Sequence, residues 1–307
     1  MSLSSVNTNV NAYVALQSLN STSSALSTAQ KQISTGYRVS DATDDGGAFA
    51  VAQKVRSDVG ALTTVNQQLG NAKGLVTTAI SSLTSISNDF TSAKSLLVEI
   101  GDTSNSDSQR DQYIASFKTL VSQVANAVDG STYNGQTLLG AASGAVAGTS
   151  KSVINNEVGS TSTISAEDNS GTAAALAALV GGTFTRSAAG VDTFGGALAS
   201  PPTSANATTA QTTAQAALAI GAAFDTADSA VSNQLNQAGA DSNYLDSQVT
   251  FNTNKISSLN AGLGALVDAD LSQESAVLQS LQIKQQLGTQ ALSIANQSPQ
   301  SLLSLFK

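Results

Sequence analysis

The chain has 307 residues and contains no His, no Cys and no Trp, which excludes His- or Cys-ligated zinc, thiol nucleophiles, a Ser–His triad and any disulfide. Charged residues make up 11%, under half the usual share of about 25%, and the net charge of -8 argues against a nucleic-acid-binding surface. No apolar run is long enough to span a bilayer as one helix, so no membrane insertion is expected.

Residues Met1–Val6 carry no basic region and no apolar core, so a cleaved secretory signal is not expected. Composition alone leaves a cytosolic protein and a protein exported by another route both open. Prolines occur only at Pro201, Pro202 and Pro299, so the first 200 residues contain no obligatory helix breaker.

From Val10 to Ile33 apolar residues recur at Val10, Val14, Leu19, Leu26, Ala29 and Ile33, which predicts an amphipathic helix stopped at Gly36. A turn follows, in which Asp44 or Asp45 caps the next helix. We read Asp41, Asp44 and Asp45 as caps and turn residues rather than as a cation site.

The next helix carries the strongest signal in the chain. Its seam begins at Ala48, Val51 and Val55. From Leu62 it runs through Val65, Leu69, Ala72, Val76, Ala79, Leu83, Ile86, Phe90, Ala93 and Leu97 to Ile100, alternating spacings of three and four without a slip. A helix of that length is roughly 80 Å long. It cannot bury such a seam by itself, so the seam must pack along another long helix of this chain or of a neighbour. Gly101 and the polar run to Ser108 end it. The acidic stretch from Asp102 to Asp111 lacks the central Gly and final Glu of a calcium loop.

A third helix is read from Gln109 to Val128, with Ile114, Phe117, Val121, Val124 and Val128 on one face. Tyr133-Asn134-Gly135-Gln136 reads as a tight turn. Between about Ala141 and Thr209 the heptad pattern is lost in favour of Ala, Gly, Ser and Thr. Short strands are expected near Ser152–Ile154 and Thr183–Thr185. Helical periodicity returns from about Thr212. Its seam is Leu245, Val249, Ile256, Leu259, Leu263 and Leu266, interrupted by Asn252, a polar residue of the kind that fixes register. The last segment carries Leu292 and an apolar end, Leu302, Leu303, Leu305 and Phe306, which a monomer would bury poorly. The expected fold is mainly α. Paired N- and C-terminal segments make a long antiparallel bundle, with a small, partly β or irregular central segment pushed outward.

Several separated motifs carry a resemblance. Val6-Asn-Thr-Asn9, Ile33-Ser-Thr-Gly-Tyr-Arg-Val39 followed by Asp44-Asp45, Ala48-Phe-Ala-Val-Ala52, Asn105-Ser-Asp-Ser108, Tyr133-Asn-Gly135 and the segment Ile294–Phe306 resemble bacterial flagellin. The match covers roughly residues 1–140 and 210–307. The resemblance implies a non-enzymatic filament subunit without cofactors, located in the extracellular flagellum. It implies export in unfolded form through the flagellar type III apparatus. It also implies partners: further copies of itself, filament cap and hook-associated proteins, and an export chaperone.

By the same resemblance residues 1–44 and 268–307 are inner-core helices. Residues 45–140 and 210–267 are a rod-layer bundle, and residues 141–209 are a variable outer domain. Val10, Val14, Leu19, Leu26, Ile33, Leu292, Leu302, Leu303, Leu305 and Phe306 would be the terminal core, gaining burial only in a polymer. The free ends are then expected to be disordered. Arg38 falls in the spoke between layers, where an assembly role and a plain surface role both stand.

Many flagellins stimulate a host Toll-like receptor through a patch that maps to residues 91–96. Here Ser92 stands where an Arg is expected and Ser95 where a Glu is, while Leu96 is retained. The triplets at Asn20, Asn206 and Asn296 match an N-glycosylation pattern, but O-linked glycans on the central segment fit the family better. A hook–filament junction protein and a flagellin-like protein that binds surface polysaccharide are the alternatives.

Overall fold

The computed structural model describes residues 9–144, 147–199, 204–219 and 223–304. In chain order the helices and strands are α1 (Val10–Thr35), α2 (Gly46–Gly101), α3 (Asp107–Asp129), β1 (Thr132–Tyr133), β2 (Gln136–Thr137), β3 (Lys151–Ile154), β4 (Thr161–Ile164), α4 (Thr172–Ala178), β5 (Gly182–Arg186), β6 (Asp192–Gly196), α5 (Ser204–Ala217), α6 (Ala223–Val267) and α7 (Leu271–Ser304). The strands form three antiparallel pairs, β1–β2, β3–β4 and β5–β6. Contacts divide the chain into two compact units, Met1–Gly60 with Ile256–Lys307, and Ala61–Lys255.

In the unit 61–255 the long seam is filled from within the chain. Leu62, Leu69, Val76, Leu83, Ile86, Phe90, Leu97 and Ile100 are fully buried and Val65 nearly so. From Val65 onward they share one core with Ile114, Phe117, Val121, Val124 and Val128 of α3 and with Phe224, Val231, Ala238 and Leu245 of α6. The predicted face of α3 is therefore the buried one. Its start is a capping box: Ser106 Oγ accepts from Gln109 N–H, and the Gln109 side chain accepts from Ser106 N–H.

Helix returns at Ser204 rather than near Thr212. The buried residues of α5 are Ala207, Ala210, Ala214 and Ala217. Their 3,4 spacing is carried by methyl groups alone, which a search for large apolar residues passes over.

The central segment contributes to this same core through Ile164, Ala173, Leu176, Phe184 and Leu198. Both expected strands form, as β3 and β5, each within a hairpin. At the tight turn Asn134 and Gly135 have φ of 51° and 73°, the positive pair that a two-residue hairpin loop needs. The β3–β4 turn docks on α6: the Asn155 carbonyl accepts from Gln248 Nε2 at 3.0 Å and from buried Asn252 Nδ2 at 3.1 Å. The polar interruption in the α6 seam thus registers a hairpin against α6.

Hairpin β5–β6 is fixed by Arg186. It pairs with Asp192 at 2.5 Å and Asp129 at 2.9 Å, and donates to Asn126 Oδ1 at 2.9 Å. Removing a partner from such a buried cluster leaves a charge uncompensated.

In the other unit α1 and α7 pair antiparallel. Asn9 Nδ2 donates to the Ala295 carbonyl at 2.7 Å, and Ala269 N–H donates to the Gly36 carbonyl at 3.0 Å. At Gly288 a Cβ would sit 3.2 Å from Leu19 Cδ1, so a small residue permits the close approach. Both terminal helices are formed over the described residues. Their pairing half-buries Leu19, Leu26, Ile33 and Leu292 and fully buries Ala29. A second cluster joins Val39, Ala52 and Val267, with Ala48, Phe49, Leu263 and Leu266 against it. Val51, read as part of the seam, is exposed, because Val39 and Val267 turn the buried stripe to Ala52.

Replacing Leu83 and Phe90 with Asp should collapse the unit 61–255. Truncating one such buried side chain costs about 3–5 kcal/mol, and a buried unpaired charge costs more. Circular dichroism of the double variant should lose most helical signal and its cooperative melt. Retained monomer helicity would contradict the seam assignment.

Candidate assembly surfaces

Leu62 to Ile100 are closed off inside the chain, so that stretch of seam offers a neighbour nothing. Leu245 is buried too, while Val249, Ile256 and Leu259 are half-buried. The α2 seam therefore builds a bundle, and contact surfaces must be sought elsewhere.

The terminal pair is the opposite case. Ala29 is the only fully buried residue of α1. Val10, Tyr13, Val14 and Leu16 of α1 are exposed, as are Leu271, Val277, Ile283, Leu287 and Ile294 of α7, with Val14 at 57% and Ile294 at 69%. Val14 and Ile294 line an open groove of about 560 Å³ with Asn11, Ala15, Ser18, Ala291 and Ala295. Two helices cannot cover two wide apolar stripes. The side chains of Leu302 and Leu303, and residues Leu305 and Phe306, lie outside the described residues.

A compact joint closes this unit. Gly36 takes the left-handed conformation (φ 74°) and its N–H caps the Gln32 carbonyl, ending α1. The Val267 carbonyl at the end of α6 accepts from Arg38 and Val39 N–H at 2.7 and 3.3 Å, and Arg38 Nη2 donates to the Leu266 carbonyl at 2.6 Å. A cation at that position also suits the negative end of the helix. Asp45 Oδ1 accepts from Gly47 and Ala48 N–H, so it is the cap of α2. Asp44 instead ties the loop, accepting from Ser40 and Asp41 N–H. Lys31 Nζ donates to Asp41 at 2.6 Å and to Asp44 at 2.9 Å. That ammonium, with the hydroxyl and backbone donors around it, holds Asp41 well below the usual carboxylate range and Asp44 at about 2.

The receptor-patch positions lie on α2. Ser92 and Ser95 are exposed, with their hydroxyls donating to the Asn88 and Ser92 carbonyls of their own helix. Leu96 is half-buried. These three line a shallow groove with Ser116, Thr119 and Leu120 of α3. Lys94 turns its ammonium to 5.3 Å from the Phe224 ring centre.

Sequence reasoning missed Arg110 and Arg186. Arg110 is buried and donates to the carbonyls of Ile100, Asp102 and Asn105, plugging the end of α2. Its one available signal was its position, just inside a capped helix that follows a polar turn.

Together these features define a mainly α-helical structural protein with a filled bundle and a terminal helix pair whose apolar faces are unfilled. Residues 6–144 match the bacterial flagellin N-terminal helical region, and residues 221–306 match the bacterial flagellin C-terminal helical region. Flagellin FljM of Caulobacter vibrioides is 35% identical over 307 residues, covering 100% of each chain. A flagellin of Brucella melitensis biotype 1 is 32% identical over 308 residues, covering 99% of this chain and 100% of its own. Flagellin C of Rhizobium meliloti is 30% identical over 329 residues, with 99% and 100% covered. The chain belongs to the bacterial flagellin family, a family of filament structural subunits and not of enzymes.

The joint makes a titration prediction. A carboxylate held below its unfolded value adds stability at pH above that value and loses it as pH falls through the folded one. Carboxyl NMR should place the Asp44 midpoint near 2 in the intact chain. Lys31→Met should move it up towards the ordinary value of 3.8. An unmoved midpoint would show that Lys31 does not hold the loop.

Proposed function

We propose that this chain polymerises through its terminal helices, with α1 and α7 as the inner core of the filament. The observation that carries this is the apolar surface left open on that pair, which only further helices of the same kind can cover in a head-to-tail, non-closing array. On this reading residues 1–44 and 268–307 form the inner core, and 45–140 with 210–267 form the surrounding layer. Residues 141–209 face outward. The subunit leaves the cell unfolded through the flagellar type III apparatus. It is added beneath a filament cap next to hook-associated proteins and resides in the extracellular flagellum. An export chaperone shields the apolar C-terminal segment until then.

Full-length alignment with flagellins favours a filament subunit over a junction protein. Sugar recognition by the central segment is disfavoured because its Phe184 and Phe194 rings pack against each other, tilted by 54° with centres 5.4 Å apart, and Lys118 covers Phe194 at 5.0 Å.

Deleting residues 288–307 tests the core assignment. Electron microscopy of heat-dissociated, reseeded protein should show long filaments for the intact chain and none for the deletion. The truncated monomer should keep a helical circular dichroism spectrum. Long filaments from the deletion variant would overturn the assignment.

A second expectation concerns the diverged patch. With Ser92 and Ser95 bonded to their own helix, the charge-assisted hydrogen bonds of an Arg and a Glu are missing. Monomer applied to a receptor reporter line should give little or no response, and a strong response would sink this expectation.

A further inference from the structure

Glu167 is a buried carboxylate in the unit 61–255. It lies in a short strap between β4 and α4. The strap is stitched on one side to the residues after β2: Glu167 N–H donates to the Leu138 carbonyl at 3.0 Å and Asn169 N–H to the Leu139 carbonyl at 2.8 Å. On the other side it is stitched to α6. Ser165 N–H donates to Asp241 Oδ2 at 2.9 Å, and Asn169 Nδ2 donates to Gln234 Oε1 at 2.7 Å. The Glu167 side chain is buried at 4% exposure, and its Oε1 has no hydrogen-bond partner. It enters none of the ion pairs among the described residues.

Among the described residues no cation pairs with it, Lys151 at the start of β3 included. From α6 come Asp241, which repels a second carboxylate, and the neutral Gln234 and Gln237. From the strap comes Asp168, whose carboxylate is occupied by Ser170 and Gly148. The 138–139 side offers carbonyls and leucines, and α4 has no charged residue. An ionised Glu167 would therefore be desolvated and next to another anion, with Oε1 unpartnered, whereas a protonated one carries no charge for Asp241 to repel.

We propose that Glu167 is a proton-dependent latch: protonated, it keeps the strap 165–169 seated between residues 138–139 and α6, and ionised, it loosens that seat. Burial first and the Asp241 charge second push its pKa up from 4.5 to about 7. Between those values the folded protein binds more proton than the unfolded chain, so strap stability is greatest in mild acid and falls as pH rises towards neutrality and above. The depressed carboxylates Asp41, Asp44 and Asp192 act at lower pH, outside this window. Asp89, which burial also raises, is common to wild type and variant and cancels in their comparison.

The test uses the full-length monomer and amide exchange at about pH 5.5 and about pH 8.5, corrected for intrinsic rates. Protection of the strap amides should fall about thirtyfold at the higher pH in wild type. Glu167→Gln should keep its acid-state protection at both. Carboxyl NMR of the unmutated chain gives a second reading that does not depend on a variant folding, and the Glu167 midpoint should lie well above 4.5. Equal protection at both pH values, the same loss in Glu167→Gln, or an ordinary midpoint would each overturn the latch. So would millimolar calcium restoring protection at high pH in wild type but not in Glu167→Gln, which would make the site a cation site instead.

Discussion

Apolar helix stripes meet two different fates in this chain. On α2 the stripe is covered from several sides, by α3, α5, α6 and the hairpins, until Leu62 through Ile100 lose contact with water. On α1 and α7 each helix has only the other, and much of each stripe stays wet. Covering an aliphatic side chain is worth about 1.5–3 kcal/mol. Val10, Val14, Leu287 and Ile294, each more than half exposed, together hold several kcal/mol of unrealised burial. On the proposed reading, that unfinished terminal pair is where the drive for assembly is concentrated.

With so few charges, their placement is informative. Several of them hold joints. Lys31 gathers Asp41 and Asp44, and Arg38 caps α6. Arg110 plugs the end of α2, and Arg186 pins a hairpin through Asp129 and Asp192. Exposed helix faces are dressed in Ser, Thr, Asn and Gln, and the Ser and Thr hydroxyls often donate to the carbonyl one turn back, as at Thr84 and Thr119. Glu167 stands apart: its side chain is buried and its Oε1 has no hydrogen-bond partner.

Helix periods were legible because they repeat. The α2 seam, the face of α3 and the Asn134-Gly135 turn follow directly from spacing and from residues that tolerate positive φ. The alanine seam of α5 was hidden because methyl groups give no contrast with an Ala-rich background. The shift from Val51 to Ala52 was hidden because Val39 and Val267, distant in sequence, decide which side is buried. Arg110, Arg186 and the strap at Glu167 were illegible for the same reason: their partners come from elements tens of residues away, and a single chain gives no sign of such pairings. Flagellin-like motifs at both ends identified the terminal helices, but only the structure shows that their apolar faces remain open.

Amide hydrogen exchange followed residue by residue in the monomer and in the assembled filament tests that central claim most directly. If the α1–α7 pair is completed only by neighbouring copies, its amides exchange far faster than those of α2 and α3 in the monomer and become as slow as theirs in the filament. Slow, bundle-like exchange of α1 and α7 in the monomer, unchanged on assembly, would contradict the account.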